Sequence, residues 1–204
     1  MSEAAFFTEA AKKGVTEAVQ DVESRTAAEV VVVVHRTSGA WREVDLAAGA
    51  VVAFAVLLLV LFHPRPIPVA VMPLDVALAF VAGAVLCAYL GPLKRALLPR
   101  RRVDAVVRAS ARAAFVDQGI SRTRGRTGVL VYVSTFERRV DVVADVGVDA
   151  GALDGPTRAL AAAVAHPRLD AFLDALRTLG PALAPSLPRA ADDVNELPDA
   201  PVVS

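Results

Sequence analysis

Cysteine is nearly missing from this sequence: Cys87 is the single one in 204 residues. That excludes an intrachain disulfide and a Cys-rich metal site. Histidine is almost as scarce, and His35, His63 and His166 stand far apart, so no His-x-x-x-His pair occurs. A phosphate-binding P-loop, a Cys-x-x-Cys pair and a nucleophile elbow are also missing. Net charge is lacking too: 22 basic residues meet 22 acidic ones, so no global field draws the chain to nucleic acid. Aromatics make up only 5% of the chain, and none interleave with basic runs as single-strand binding would require.

Apolar residues are abundant, at 55% of the chain, with a mean hydropathy of +0.49. They concentrate between Trp41 and Pro99. Leu46 to Phe62 holds no charged residue and no proline. At ~1.5 Å per residue that run covers roughly 25 Å, a little short of the ~30 Å hydrocarbon core of a bilayer. Trp41 and Asp45 extend it into the headgroup zone. His63, Pro64, Arg65, Pro66 and Pro68 end the first helix, because proline lacks a backbone donor and clashes with the preceding turn. A second run, Val69 to Leu90, is interrupted at Pro73 and Asp75, which places that pair near the helix mouth. The expectation is a transmembrane hairpin over 41–99, with spans at about 46–62 and 74–91. Arg36 and Arg42 precede the pair, and Lys94, Arg95, Arg100, Arg101 and Arg102 follow it. By the positive-inside rule both termini belong in the cytoplasm, with the protein in the cell (inner) membrane and the lipid bilayer as its first partner. Met1 to Gln20 shows no secretory signal, since acids and lysines interrupt any apolar core.

The remaining residues suffice for one small domain split by the hairpin, with parts at 1–40 and 100–184 and a tail at 185–204. In the first part, Phe6, Phe7, Ala10, Ala11, Val15, Ala18, Val19 and Val22 fall on one helical face. Five consecutive valines, Val30 to Val34, then predict a strand buried on both faces. Small residues recur in the hairpin at Gly49 and Ala53, and at Ala79, Gly83, Cys87 and Gly91, which is the spacing of a close helix seam. Arg100 to Gly119 reads as an amphipathic helix capped by Gly119. Val129 to Thr135 and Arg138 to Asp145 form a β-hairpin through a tight connection at Phe136 and Glu137. Helical patterns follow over Gly155–Ala165 and Arg168–Leu183, split at His166-Pro167. From Pro185 the chain turns proline-rich and acidic, a composition that favours a loosely held end.

Several of these segments resemble the TPM-domain family, specifically its bacterial membrane-anchored branch. The likeness lies in Gly119, Thr123, the run Arg126 to Ser134, Glu137 to Val140, and Ala144, Asp145 and Gly147. The early AAEVVVVV strand and the late DDVNELPD at Asp192 to Asp199 also fit. The resemblance implies an α/β fold in which helices cover a small sheet, with the transmembrane hairpin inserted after the first strand. It also implies either assembly and repair of membrane complexes, or weak acid-phosphatase activity or metal binding. The expectation taken from it is a non-catalytic interaction or assembly module of the cell envelope, with a weak divalent-metal-dependent phosphatase as the alternative.

The residues themselves offer little chemistry. Gly125-Arg126-Thr127-Gly128 opens a strand rather than a helix, so it reads as a turn and not as a phosphate cradle. Asp141 and Asp145 lie four apart on a strand and share a face, and with Asp149 they could hold a hard cation, Ca²⁺ or Mg²⁺. Arg139 beside Asp141 offers the competing reading of surface ion pairs. Ser134 and His166 show no partner in the sequence. The expected function is therefore an interaction or assembly module with a membrane or cytoplasmic protein partner and no nucleic acid.

Overall fold

The computed structural model describes residues 3–64, 68–190 and 194–204. They form two units, one comprising the chain up to Ser38 together with Val103–Ser204, the other Gly39–Arg102.

The first unit begins with α1 (Glu9–Glu23), whose N-terminus is capped by the Thr8 hydroxyl accepting from Ala11 N at 3.1 Å. Its apolar face, Ala11, Val15, Ala18, Val19 and Val22, is buried as the helical spacing predicts. Strand β1 (Glu29–His35) carries the valine run and is buried over Glu29–Val34.

In the second unit, α2 (Arg42–Leu61) and α3 (Met72–Tyr89) pack along the small-residue seam, followed by the short α4 (Gly91–Leu97). Pro73 and Asp75 fall in the first turn of α3, where the missing proline donor costs nothing. The seam closes within the chain. A Cβ on Gly49 would stand 2.6 Å from the Phe80 carbonyl oxygen, and one on Gly83 would stand 2.8 Å from Val52. Lys94 Nζ reaches Asp45 Oδ2 at 2.7 Å, and Arg102 pairs with Glu43 at 2.7 Å. Both helices are long and apolar enough to cross a membrane, and only 17% and 11% of their most apolar windows are buried.

Helix α5 (Arg100–Asp117) ends at Gly119, whose φ of 67° supplies the left-handed turn. Strands β2 (Gly128–Ser134) and β3 (Arg139–Ala144) form the expected antiparallel hairpin, Val129 opposite Ala144 and Ser134 opposite Arg139. Helices α6 (Asp154–Ala165), α7 (Leu169–Arg177) and α8 (Leu179–Leu183) follow, and the strand β4 (Val202–Val203) ends the chain. The sheet order is β3-β2-β1-β4, with β1 parallel to both β2 and β4.

Alternation divides the valines between two layers. Val30, Val32, Val34, Val129, Val131 and Val133 share a core with α1, α6, α7 and α8, where Phe6 meets Phe172 edge-on at 5.4 Å. Val31, Val33, Leu130 and Tyr132 are buried on the opposite face, the side of α5. The tail departs from expectation. Its described part packs on the sheet, because β4 pairs with Val33 and Val34, Ala27 N donates to Leu187 O, and Leu197 N donates to Glu29 Oε2. Composition favoured a loose end, but edge-strand hydrogen bonds need only a few residues to hold it. Asp192 and Asp193 lie outside the described residues.

Candidate functional site

After β1 the chain continues to α5 on one face of the sheet, whereas β4 is reached from α6–α8 on the other face. Strand β1 therefore lies where the connections diverge, and open α/β sheets hold ligands in the crevice beyond such carboxyl ends. A cavity of about 360 Å³ lies there, lined by Val33, His35, Ser38, Tyr132, Ser110 and Asp117 among others. The α5 contribution follows helical spacing: Ser110, Ala113, Ala114 and Asp117, with Gln118 just past the helix, form one stripe, and its alanines leave the room.

Beneath the crevice lies a buried polar network. The Ser38 hydroxyl donates to Ser134 Oγ at 2.8 Å and lies 3.0 Å from the Tyr132 hydroxyl. Ser134 Oγ in turn donates to Glu137 Oε2. The other oxygen of Glu137 accepts from Thr37 Oγ1 at 2.9 Å and from Ser38 N at 3.0 Å. Ser134, Tyr132 and Glu137 are all buried, so these bonds offset a desolvation cost that would otherwise be large. The β2–β3 turn that carries Glu137 is itself pinned, with Thr135 N and Phe136 N donating to the carbonyls of His35 and Arg36. His35 stacks on Tyr132 with ring centroids 5.3 Å apart, and burial holds its imidazole below the ordinary pKa.

The two carboxylates singled out as cation ligands are engaged elsewhere. Asp145 is buried just past β3, and its Oδ2 lies 2.9 Å from Arg126 Nε, a charge pair without a well-directed hydrogen bond to that oxygen. Its Oδ1 accepts from Val146 N at 2.8 Å. Asp141 lies opposite Tyr132, on the α5 side; burial raises its pKa, while Arg108 and Arg112 pull it back. Asp149 caps the turn before α6 by accepting from Gly151 N at 2.9 Å. Among the described residues, no group of three or more His, Cys, Asp or Glu side chains is arranged to hold a metal ion. Gly125–Gly128 is a turn, as expected, with Thr127 N donating to Thr123 Oγ1 at 3.2 Å.

A second polar pocket, of about 190 Å³, joins Gln20, Glu23, Glu29, Arg189, Asn195 and Asp199. Glu23 Oε1 accepts from Val30 N at 3.0 Å, and burial, with Glu29 and Asp199 adding to it, pushes its carboxyl up to about 8. Sequence reading missed both clusters. Ser134 and Glu137 were visible as polar residues at a strand end, but Ser38 and Thr37 meet them across about a hundred residues.

Fold and crevice together define a mixed α/β protein with a four-stranded sheet. Among solved structures, the chain is similar to the NMR structure of BA42 protein from the psychrophilic bacterium Bizionia argentinensis. The likeness has a TM-score of 0.58 at 17% sequence identity, and covers 97% of this chain and 94% of BA42. At that identity it establishes a shared fold. No family model matches the chain, and no curated protein sequence does.

Proposed function

We propose that this chain is a membrane-anchored TPM-like protein whose α2–α3 hairpin spans the cell membrane. In this reading its α/β unit serves as an interaction or assembly module of the cell envelope. The observation that carries the anchoring is the outward face of the hairpin. Val51, Phe54, Leu59, Leu61, Leu74, Leu78 and Leu86 are all exposed, in a chain whose other unit buries the valines of its central strands β1 and β2. Exposed apolar surface on that scale is unstable in water and stable in lipid. The role as a module rather than an efficient enzyme is supported by the crevice, where the hydroxyls of Ser38 and Ser134 are tied to Tyr132 and Glu137. An activated nucleophile must reach a substrate as well as hold a base, and Ser134, whose hydroxyl donates to the Glu137 carboxylate, is fully buried.

Membrane fractionation tests the anchoring: the protein should stay in the pellet after alkaline carbonate and leave it only with detergent. Topology is read in a Cys87→Ala background. Cysteines at Lys13 and Ser204 should resist an impermeant thiol reagent in intact cells, while one at Ala70 should label. Recovery in the carbonate supernatant would end the anchoring reading. For the alternative, a weak divalent-metal-dependent phosphatase, the assay uses phosphate esters with Mg²⁺, Mn²⁺ or Ca²⁺. Turnover faster than about 1 per second, lost in Asp141→Ala and Asp145→Ala, would replace the module reading.

A further inference from the structure

We propose that the crevice beyond β1 binds a small soluble organic cation, a primary ammonium on a short polar body, held between Asp117 and the His35–Tyr132 pair. This does not depend on the membrane reading. The cavity of about 360 Å³ is at the small end of the ~300–1,000 Å³ typical of ligand sites, which suits a molecule of a few heavy atoms. Among the described residues lining it, Asp117 is the one carboxylate and none is Lys or Arg. Behind the lining hydroxyls of Ser38 and Tyr132 stands a second carboxylate, Glu137, reached through Ser134. Arg108 and Arg112, on the same helix as Asp117, are the cations that act on Asp141 of β3. A phosphate would thus meet hydroxyl groups and the Asp117 carboxylate but no cation among the described lining residues, whereas an ammonium meets a carboxylate, hydroxyl oxygens and an aromatic ring. The hydroxyls of Ser110 and Ser38 and the amide of Gln118 suit the polar body of such a ligand.

The titratable groups that line the crevice are His35 on β1, Tyr132 on β2 and Asp117 on α5, with Glu137 of the β2–β3 turn buried behind them. Burial keeps His35 neutral at pH 7.5, so it does not repel a cation. Acid protonates it and places a positive charge beside the bound ammonium, so affinity falls as pH falls.

Calorimetric titration of the purified full-length protein in detergent, with ethanolamine and with 1,4-diaminobutane, tests the proposal. At least one amine should bind saturably, one to one. Asp117→Asn, a change at an exposed position whose fold is checked by circular dichroism, should weaken it about tenfold. Lowering the pH from 7.5 to 5.5 should weaken binding to the wild type, and that loss should shrink in His35→Gln. The proposal is overturned if neither amine saturates by roughly 10 mM. Unchanged affinity in Asp117→Asn, or inorganic phosphate binding more tightly than both amines, would overturn it equally.

Discussion

Val30–Val34 of β1 and the run from Val51 of α2 to Phe62 just past its end are about equally apolar, yet they meet opposite fates. Every valine of the first is at most 2% exposed, whereas Val51 is 69% and Phe62 81% exposed. The difference teaches that hydrophobicity alone does not locate a core. β-Branched residues in a short run form a strand that other protein elements can cover on both faces. A long run of leucine, alanine and valine forms a helix whose surface exceeds what one partner helix can cover. The α2–α3 seam fully buries Gly49, Ala53, Val60, Gly83 and Cys87, while neighbours such as Leu57, Phe80 and Ala84 stay half-buried and the outer faces of both helices are exposed.

The same charge placed in each region separates them most sharply. Val32→Asp would bury an unpaired carboxylate in the sheet core, at a cost of several kcal/mol, enough to unfold a domain of ordinary stability. Limited proteolysis should then cut the distant segment Gly128–Ala144, which pairs with β1 in the native fold. Phe54→Asp, on the outward face of α2, should leave that segment protected. It should instead reduce membrane insertion, at roughly 3 kcal/mol for a charge at the helix centre. Equal protease sensitivity in both variants would erase the distinction between the two regions.

Next in size is Glu137→Ala, which leaves the buried Ser134 hydroxyl and Ser38 N without the carboxylate they donate to. A loss of about 2–3 kcal/mol is expected from denaturant unfolding. The close-approach glycines sharpen the hairpin side. Gly83→Leu would drive a side chain into Val52 and the Gly49 backbone, costing about 1–3 kcal/mol. Disulfide cross-linking between cysteines introduced along α2 and α3 should fall, while unfolding of the sheet unit should be unchanged.

Much of this architecture is legible because it is local. Helix faces, the glycine after α5 and the Val129–Thr135 hairpin each follow from residues within a turn or a short loop of one another. Pairing of β1 with β2 follows once the hairpin returns the chain to its starting unit. The tail and the crevice resist sequence reading for the opposite reason. β4 is two residues long, too short for periodicity to show. The network of Ser38, Tyr132, Ser134 and Glu137 is built from ordinary polar residues on three separate segments. Asp141 and Asp145 share a strand parity, but the arginines that engage them sit on α5 and in the turn before β2. Spacing along one strand carries no information about those partners.

The smallest expected effect concerns Glu23, where the tail meets the first helix. Its carboxyl is raised to about 8 by burial, with Glu29 and Asp199 opposing ionisation and Arg189 favouring it. A carboxyl with a folded pKa above its unfolded value holds a proton in the native state that the unfolded chain has already released. Stability is therefore greatest below the unfolded value of 4.5 as far as this group is concerned, and declines as pH rises from there to about 8. Glu23→Gln keeps an oxygen to accept from Val30 N and cannot ionise. The variant should match the wild type near pH 5 and melt a few degrees higher near pH 8.5. The partial exposure of Glu23 to solvent keeps that difference modest. The comparison must be made on the difference between the two proteins, since other groups titrate over the same range. A difference independent of pH would show that Glu23 is already ionised in the native protein, and that the carboxylates of the tail and of α1 coexist at little cost.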